Sequence, residues 1–199
     1  MKTVIYENLK VEDINVGEVL RYLGCPKTED ELTLQLIDRC ISEAENAFSF
    51  KLCYAEYDLK ILNEVCDLGD FKLCSKSLKR VLDGCDKALI FAATIGVGID
   101  RLITRYSDIT PSRAVVFDAL GSERIEALCD SFCREYEQQN GVFLTPRFSP
   151  GYGDLPLYTQ KDIFFHLDCP KSIGVTLNDS LLMSPTKSVT AIAGIRRSI

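Results

Sequence analysis

The stretch of sequence that decides the fold is Arg147-Phe148-Ser149-Pro150-Gly151-Tyr152-Gly153-Asp154-Leu155-Pro156-Leu157. Prolines at positions 146, 150 and 156 stiffen this backbone, while glycines at 151 and 153 allow another group to approach it closely. A stiff loop that presents one arginine suits the two-pronged recognition of a carboxylate, and Tyr152 adds a ring and a hydroxyl nearby. A tight crossover in which Arg147 makes only a surface ion pair has the same composition, so both interpretations stay open.

A long helix is predicted before this loop, over residues 112–138, because apolar residues recur at helical spacing. Its apolar stripe consists of Phe117, Gly121, Ile125, Leu128, Phe132 and Tyr136. Glu126 and Asp130 lie four residues apart, off this stripe and on one face. Two such acids can hold an ammonium or a sulfonium by charge attraction. A solvated acidic face has the same pattern, so the spacing alone does not decide between them.

The rest of the chain mixes helices and strands. Further helices are predicted over residues 13–23, 28–44, 75–82, 99–106 and 156–167. Strands are predicted over residues 48–54, 57–62, 70–73, 87–94, 173–177 and 188–195. Because there is no steady βαβ order, no internal repeat and no linker, we predict a single α+β domain over residues 1–199.

The turn Gly96-Val97-Gly98 follows a predicted buried strand and precedes a helix, as in dinucleotide-binding folds. Arg101 stands where the third glycine of that fingerprint belongs, and no βαβ unit follows. A nucleotide-phosphate site therefore remains an alternative to a tight turn that needs the conformational freedom of glycine.

Composition narrows the classes of function. The formal net charge is -6 and the basic residues are scattered, which argues against a nucleic-acid partner. The longest strongly apolar run, residues 88–93, is far shorter than the roughly 20 residues that a membrane span needs. The N-terminus turns acidic too early for a signal peptide. These features predict a cytoplasmic protein with no membrane partner.

The nine cysteines form no CxxC pair, and His166 is the only histidine. An odd number of widely spaced cysteines predicts neither a disulfide framework nor a zinc site. Cys129 and Cys133 share one face of the long helix, so a metal or redox pair is an alternative to simple burial of small apolar side chains. His166, among Phe164, Phe165 and Leu167, is expected to be a packing or surface residue.

The pattern R-x-x-x-G-Y from Arg147 to Tyr152 resembles the signature of the activation domain of cobalamin-dependent methionine synthase. Other segments resemble the same family in the same order: residues 14–24, 124–128 and 173–180, followed by Met183, Pro185, Ser188 and Val189. The resemblance therefore spans nearly the whole chain, and it is most specific in the loop and in the C-terminal stretch.

The resemblance implies a single curved domain with a bent, mostly antiparallel sheet flanked by helices, and S-adenosylmethionine in a shallow groove. The resemblance also implies that this protein is a free-standing reactivation component and not a complete enzyme. The complete enzyme would be a split methionine synthase, a methyltransferase of methionine biosynthesis. The synthase body would be a separate polypeptide that carries the cobalamin. When this cobalamin is oxidised to cob(II)alamin, the component supports reductive methylation while a flavodoxin-type reductant supplies an electron.

The family's ligand contacts transfer to this sequence one residue at a time. Arg147 is expected to hold the carboxylate of S-adenosylmethionine, and Glu126 to meet its positively charged end. Tyr152 would line the same groove, Gly151 would give access to the backbone, and the backbone after Phe148 would contact the adenine. No residue of the chain is expected to act as a catalytic acid or base, because methyl transfer needs the protein only to orient the ligand and to exclude water.

Two departures from the family pattern affect the groove. An aspartate that contacts the ligand near the end of the first helix is replaced here by Tyr22-Leu23-Gly24. After the Gly-Tyr pair the family has proline and then cysteine-proline, where this chain has residues 153–156, Gly-Asp-Leu-Pro. Two other functions stay open: an accessory module for another corrinoid-dependent methyltransferase, and a structural protein that has lost the ligand. The motif residues count against the second.

Overall fold

The computed structural model describes residues 3–6 and 9–197. Its helices are α1 Val16–Tyr22, α2 Glu31–Ala44, α3 Lys76–Leu82, α4 Gly98–Ser107, α5 Pro111–Asn140, α6 Gln160–Leu167 and α7 Cys169–Ile173. Its strands are β1 Val4–Tyr6, β2 Lys51–Asp58, β3 Lys60–Leu62, β4 Val65–Asp67, β5 Lys72–Cys74, β6 Lys87–Thr94, β7 Val142–Leu144, β8 Thr176–Leu177, β9 Met183–Ser184 and β10 Ser188–Arg197. Among the described helices, none combines the length and apolar character needed to cross a membrane.

A five-stranded sheet organises the domain, in the order β1-β2-β6-β10-β7, and all its pairs are antiparallel. The strand β6 lies at its centre, and seven of its eight residues are buried, as a continuous apolar run predicts. A three-stranded sheet, β3-β4-β5, and the hairpin β8-β9 are separate from it. The mixed α+β class predicted from the sequence is confirmed.

Each face of the sheet is covered by its own hydrophobic cluster. One cluster contains residues of β2 and of β6, such as Leu89 and Phe91 of β6. These residues pack against the apolar stripe of α5, which includes Phe117 and Phe132. The alternate residues, such as Ile90, pack with α3, α6 and α7 in the other. This alternation follows from the two-residue period of a strand, and it fixes α5 across one face of the sheet.

Several short elements were not predicted. The strands β1, β4 and β9 have only two or three residues, too few for a period to be read from the sequence. The predicted helix over residues 156–167 begins with a separate 3-10 turn, Leu157–Thr159. The predicted strand over residues 48–54 starts later, at Lys51, because this residue pairs with Thr94, where β6 ends.

The Gly96-Val97-Gly98 segment is a tight turn between β6 and α4. Gly96 has a φ of +82°, and a Cβ on Gly98 would lie 2.0 Å from the carbonyl oxygen of Ala47, so a larger residue would collide with backbone. Both neighbours of β6 are antiparallel, so the βαβ unit of a dinucleotide-binding fold is not formed there. Packing geometry therefore explains these glycines. His166 is likewise a packing residue, stacked on Phe71 at 4.4 Å between ring centroids.

Candidate functional site

The loop that carries Arg147 is fixed to the sheet on both sides of the arginine. The Thr145 amide donates to the Gly194 carbonyl at 2.9 Å. Three residues further, the amides of Phe148 and Ile192 each donate to the carbonyl of the other, at 2.9 and 2.8 Å. The loop therefore continues the edge strand β7 along β10. This pairing holds the backbone of Arg147 in place, as its prolines had indicated.

The side chain of Arg147 forms a fork across two carboxylates of α5. Its Nη2 donates to Oε2 of Glu126 at 2.6 Å, and its Nη1 donates to Oδ1 of Asp130 at 2.7 Å. The Arg147 side chain is 23% exposed, against 47% for Glu126 and 60% for Asp130. The structure thus brings together Arg147 and Glu126, which the family resemblance assigned to the carboxylate and to the positively charged end of one ligand. Both prongs of Arg147 contact carboxylates of the chain itself, so recognition of a ligand carboxylate stays a prediction.

The surroundings of Arg147 favour its charge. Burial acts to lower the pKa of this guanidinium, but Cys129, Asp130 and Glu126 outweigh it and raise the pKa above its ordinary value. Burial also raises the pKa of the Cys133 thiol to about 11, although the charge of Arg147 opposes this. Cys133 is therefore a protonated thiol at neutral pH, a poor metal ligand and a poor nucleophile.

Two cavities lie beside this ion-pair cluster, one on each side of α5. The first has a volume of about 280 Å³ and lies between α5, α1 and the segment before α1. The second has a volume of about 500 Å³ and lies between α5, β7 and Arg147. Asp130 and Arg134 line both cavities, whereas Glu126 lines only the first. The ion pairs of Arg147 therefore stand at the junction of two open spaces.

The wall of the first cavity is held by a buried charge pair that the sequence reading missed. The side chains of Glu123 and Arg124 pair with each other and are each 5% exposed. Arg124 also donates to the carbonyls of Glu12 and Asp13, at 2.6 and 3.0 Å, and Glu123 accepts from the amide of Asn15 at 3.1 Å. The sequence does indicate such a pair. Position 124 lies four residues from an apolar position on either side, so its arginine is expected to be buried and to need a partner inside the protein.

Acidic side chains are plentiful in the first cavity even though the family's aspartate is missing near Gly24. Glu12, Asp13 and Glu18 line it from the segment before α1 and from α1 itself, and Tyr22 lines it too. The deviation from the family pattern therefore does not leave this wall without acids. Among the residues that the structure describes, no group of three or more His, Cys, Asp or Glu side chains is placed to hold a metal ion.

The remaining predicted site residues lie further along the loop. Gly151 has a φ of +90°, and its amide donates to the Leu155 carbonyl at 2.9 Å. Tyr152 is 66% exposed, and its ring centroid lies 6.5 Å from that of Phe148. Within the described part of the chain, neither Gly151, Tyr152 nor Phe148 lines the two cavities beside Arg147. The Phe148 backbone is hydrogen-bonded to Ile192, and its side chain packs against the hydrophobic cluster that also contains α3, α6 and α7.

Asp154 lies in the segment after the Gly-Tyr pair, where this chain differs from the family pattern, and its contacts give that segment a structural role. Its carboxylate accepts hydrogen bonds from the Ser75 hydroxyl at 2.5 Å and from the amides of Lys76 and Ser77 at 2.8 and 3.0 Å. These contacts hold the pKa of Asp154 well below its usual range, with the Ser75 hydroxyl as the largest cause. Asp154 therefore anchors the far end of the loop to the first turn of α3.

The fold is similar to that of a solved structure, the MetH reactivation domain bound to AdoHcy. The two share 13% sequence identity with a TM-score of 0.70, over 94% of this chain and 75% of that one. No protein-family profile matches the sequence, and no curated protein does. The resemblance stated from the Arg147 motif is thus confirmed at the level of the fold.

Proposed function

We propose that this protein binds S-adenosylmethionine beside Arg147 and reactivates a cobalamin-dependent methionine synthase. The observation that carries the proposal is the contact of Arg147 with Glu126. An arginine and a carboxylate at this distance present one positive and one negative group side by side. The amino-acid end of S-adenosylmethionine carries a carboxylate and an ammonium on one carbon, which is the complementary pair.

The balance of charge at the site supports a cationic ligand. Arg147 with Glu126 and Asp130 carries a formal charge of one positive against two negative groups. Further acids line the adjoining cavity. A sulfonium adds one positive charge to the neutral amino-acid end, so this site favours S-adenosylmethionine over its neutral demethylated product by charge attraction. The solved reactivation domain of the same fold was crystallised with AdoHcy, that demethylated product.

The reaction we propose is reductive methylation of cobalamin carried by a separate methionine synthase body. A flavodoxin-type reductant gives one electron to cob(II)alamin. The bond between the sulfonium sulfur and its methyl group then breaks, its electron pair stays on sulfur, and a cobalt–carbon bond forms with the electron pair of the reduced cobalt. The part of this chain is to hold the ligand by its amino-acid end and to present the methyl group, without a proton transfer. The site of action would be the cytoplasm.

The test is a spectrum of the partner's cobalamin. We expect the cob(II)alamin band to convert to the methylcobalamin band only when synthase body, reductant, S-adenosylmethionine and this protein are mixed. The synthase body must lack its own reactivation domain. Conversion that proceeds equally well without this protein, or with Arg147→Ala in its place, contradicts the proposal. Conversion of a different corrinoid protein, and not of the synthase, would favour an accessory module for another corrinoid methyltransferase.

A further inference from the structure

Arg147 is already engaged by carboxylates of its own chain. Both of its terminal nitrogens donate to acids of α5, at 2.6 and 2.7 Å. A ligand carboxylate that binds Arg147 must therefore take the place of at least one of these acids. Because hydrogen bonds to β10 fix the backbone at Thr145 and Phe148, the exchange is confined to side chains.

The two acids are not equivalent. Asp130 is the more exposed, at 60% against 47% for Glu126. Asp130 also lines both cavities, whereas Glu126 lines only the one next to α1. An acid at the junction of two open spaces regains water when it leaves its partner, so its release costs less than that of the inner acid.

We propose that Asp130 is a placeholder for the ligand's carboxylate. It keeps the Arg147 guanidinium oriented across the junction of the cavities and leaves Nη1 when a carboxylate ligand arrives, while Glu126 keeps its place. The inference rests on the proposed function and adds selectivity to it. A ligand without a carboxylate gains nothing from Arg147, because Asp130 already occupies that nitrogen. Asp130 is thus a specificity-determining residue.

The experiment is calorimetric titration of wild type and Asp130→Asn with S-adenosylmethionine and with its decarboxylated analogue. Asparagine keeps the shape of Asp130 and removes the competing charge. We expect Asp130→Asn to bind S-adenosylmethionine about two- to fivefold more tightly, the range expected for loss of an exposed ion pair. Affinity for the decarboxylated analogue should not rise, because this ligand gains nothing from the freed nitrogen of Arg147 and loses the attraction of one acid. Asp130→Glu, which restores the carboxylate, should return the affinity to that of wild type.

The matched control is Asp38→Asn, which removes the same charge from the exposed surface of α2 and should alter neither affinity. If wild type binds S-adenosylmethionine while Asp130→Asn binds it equally or more weakly, the placeholder role is wrong and the proposed function survives. An equal gain for both ligands also overturns it, since the decarboxylated analogue has no carboxylate to place on Arg147. If wild type and Asp130→Asn bind neither ligand, the proposed function fails and the inference with it. Thermal unfolding of each variant verifies that it is folded.

Discussion

Helix α5 contributes carboxylates to two clusters with arginine within two turns, and the clusters differ in what surrounds them. The Glu123–Arg124 pair is 5% exposed on both side chains, and its hydrogen bonds go to other groups of the protein. The Glu126–Asp130–Arg147 cluster is partly exposed and opens on two cavities. In the first cluster the protein itself satisfies both charges, while the second cluster can exchange one partner for another. Arginine and carboxylate groups therefore stabilise the packing of two segments in one cluster and form a candidate binding site in the other.

The largest effect on stability is expected from Arg124→Ala, which breaks the buried Glu123–Arg124 ion pair. It leaves Glu123 as a buried charge without its partner and frees the carbonyls of Glu12 and Asp13. Breaking a buried pair in this way costs about 3–5 kcal/mol of the free energy of unfolding. Chemical denaturation followed by circular dichroism measures it. A loss below about 1 kcal/mol would show that the two clusters do not differ as we describe.

Arg147→Ala should have the opposite effect: a large loss of ligand affinity with little loss of stability. Removal of the two-pronged charged contact should weaken S-adenosylmethionine binding by about 2–4 kcal/mol, or roughly 30- to 1000-fold. The free energy of unfolding should change by about 1 kcal/mol or less, because the ion pairs are partly exposed. Calorimetry and denaturation measure the two quantities. Arg39→Ala, on the exposed surface of α2, is the control and should alter neither.

Glu126→Gln sharpens the comparison within the second cluster. If Glu126 meets the ligand's ammonium, loss of its charge should weaken S-adenosylmethionine binding about tenfold. The control is Glu135→Gln, on the same helix, where the glutamate accepts a bond from Gln139 at 3.0 Å and lines neither cavity. Calorimetry with both variants decides the matter. Equal affinities for the two variants would remove Glu126 from the site.

The smallest effect is expected from Asp154→Asn, which tests the anchor of the Arg147 loop. Because the folded-state pKa of Asp154 is lowered, its stabilising contribution is fully present above its unfolded pKa of about 3.9 and is lost as the pH falls below that value. The variant should therefore melt at a lower temperature than wild type at pH 7, and the gap should narrow below about pH 4. Melting curves across this range measure it. A gap that stays constant with pH would contradict the assignment of the anchor to the carboxylate.

Much of the fold could be predicted from local patterns. The strand over residues 87–94 and the stripe of α5 were read correctly, because each is long and has a clear period, and every predicted stripe residue is buried. The strands β1, β4 and β9 were missed, since a strand of two or three residues exists only by virtue of its partner. Their positions depend on contacts between distant segments, which no local window contains.

The site could be predicted only in part. The family resemblance placed Arg147 and Glu126 at one ligand, and the structure brings them into contact. It did not indicate that Arg147 would also hold Asp130, or that Arg124 would bind carbonyls more than 100 positions earlier in the chain. These contacts depend on how β10 and α5 pack against other segments. The roles of Gly151, Tyr152 and Phe148 stay predictions.

Strand β10 has a consequence for the synthesis of the protein. It is the last described element along the chain, yet it lies between β6 and β7 and pairs with both. Until residues 188–197 have left the ribosome, β6 keeps an open apolar edge of the kind that invites aggregation. The loop of Arg147 lacks its partners Ile192 and Gly194 for the same period. The candidate ligand-binding surface is therefore assembled only after residues 188–197 have been translated, and a nascent chain stalled before β10 is expected to require a chaperone and to bind no ligand.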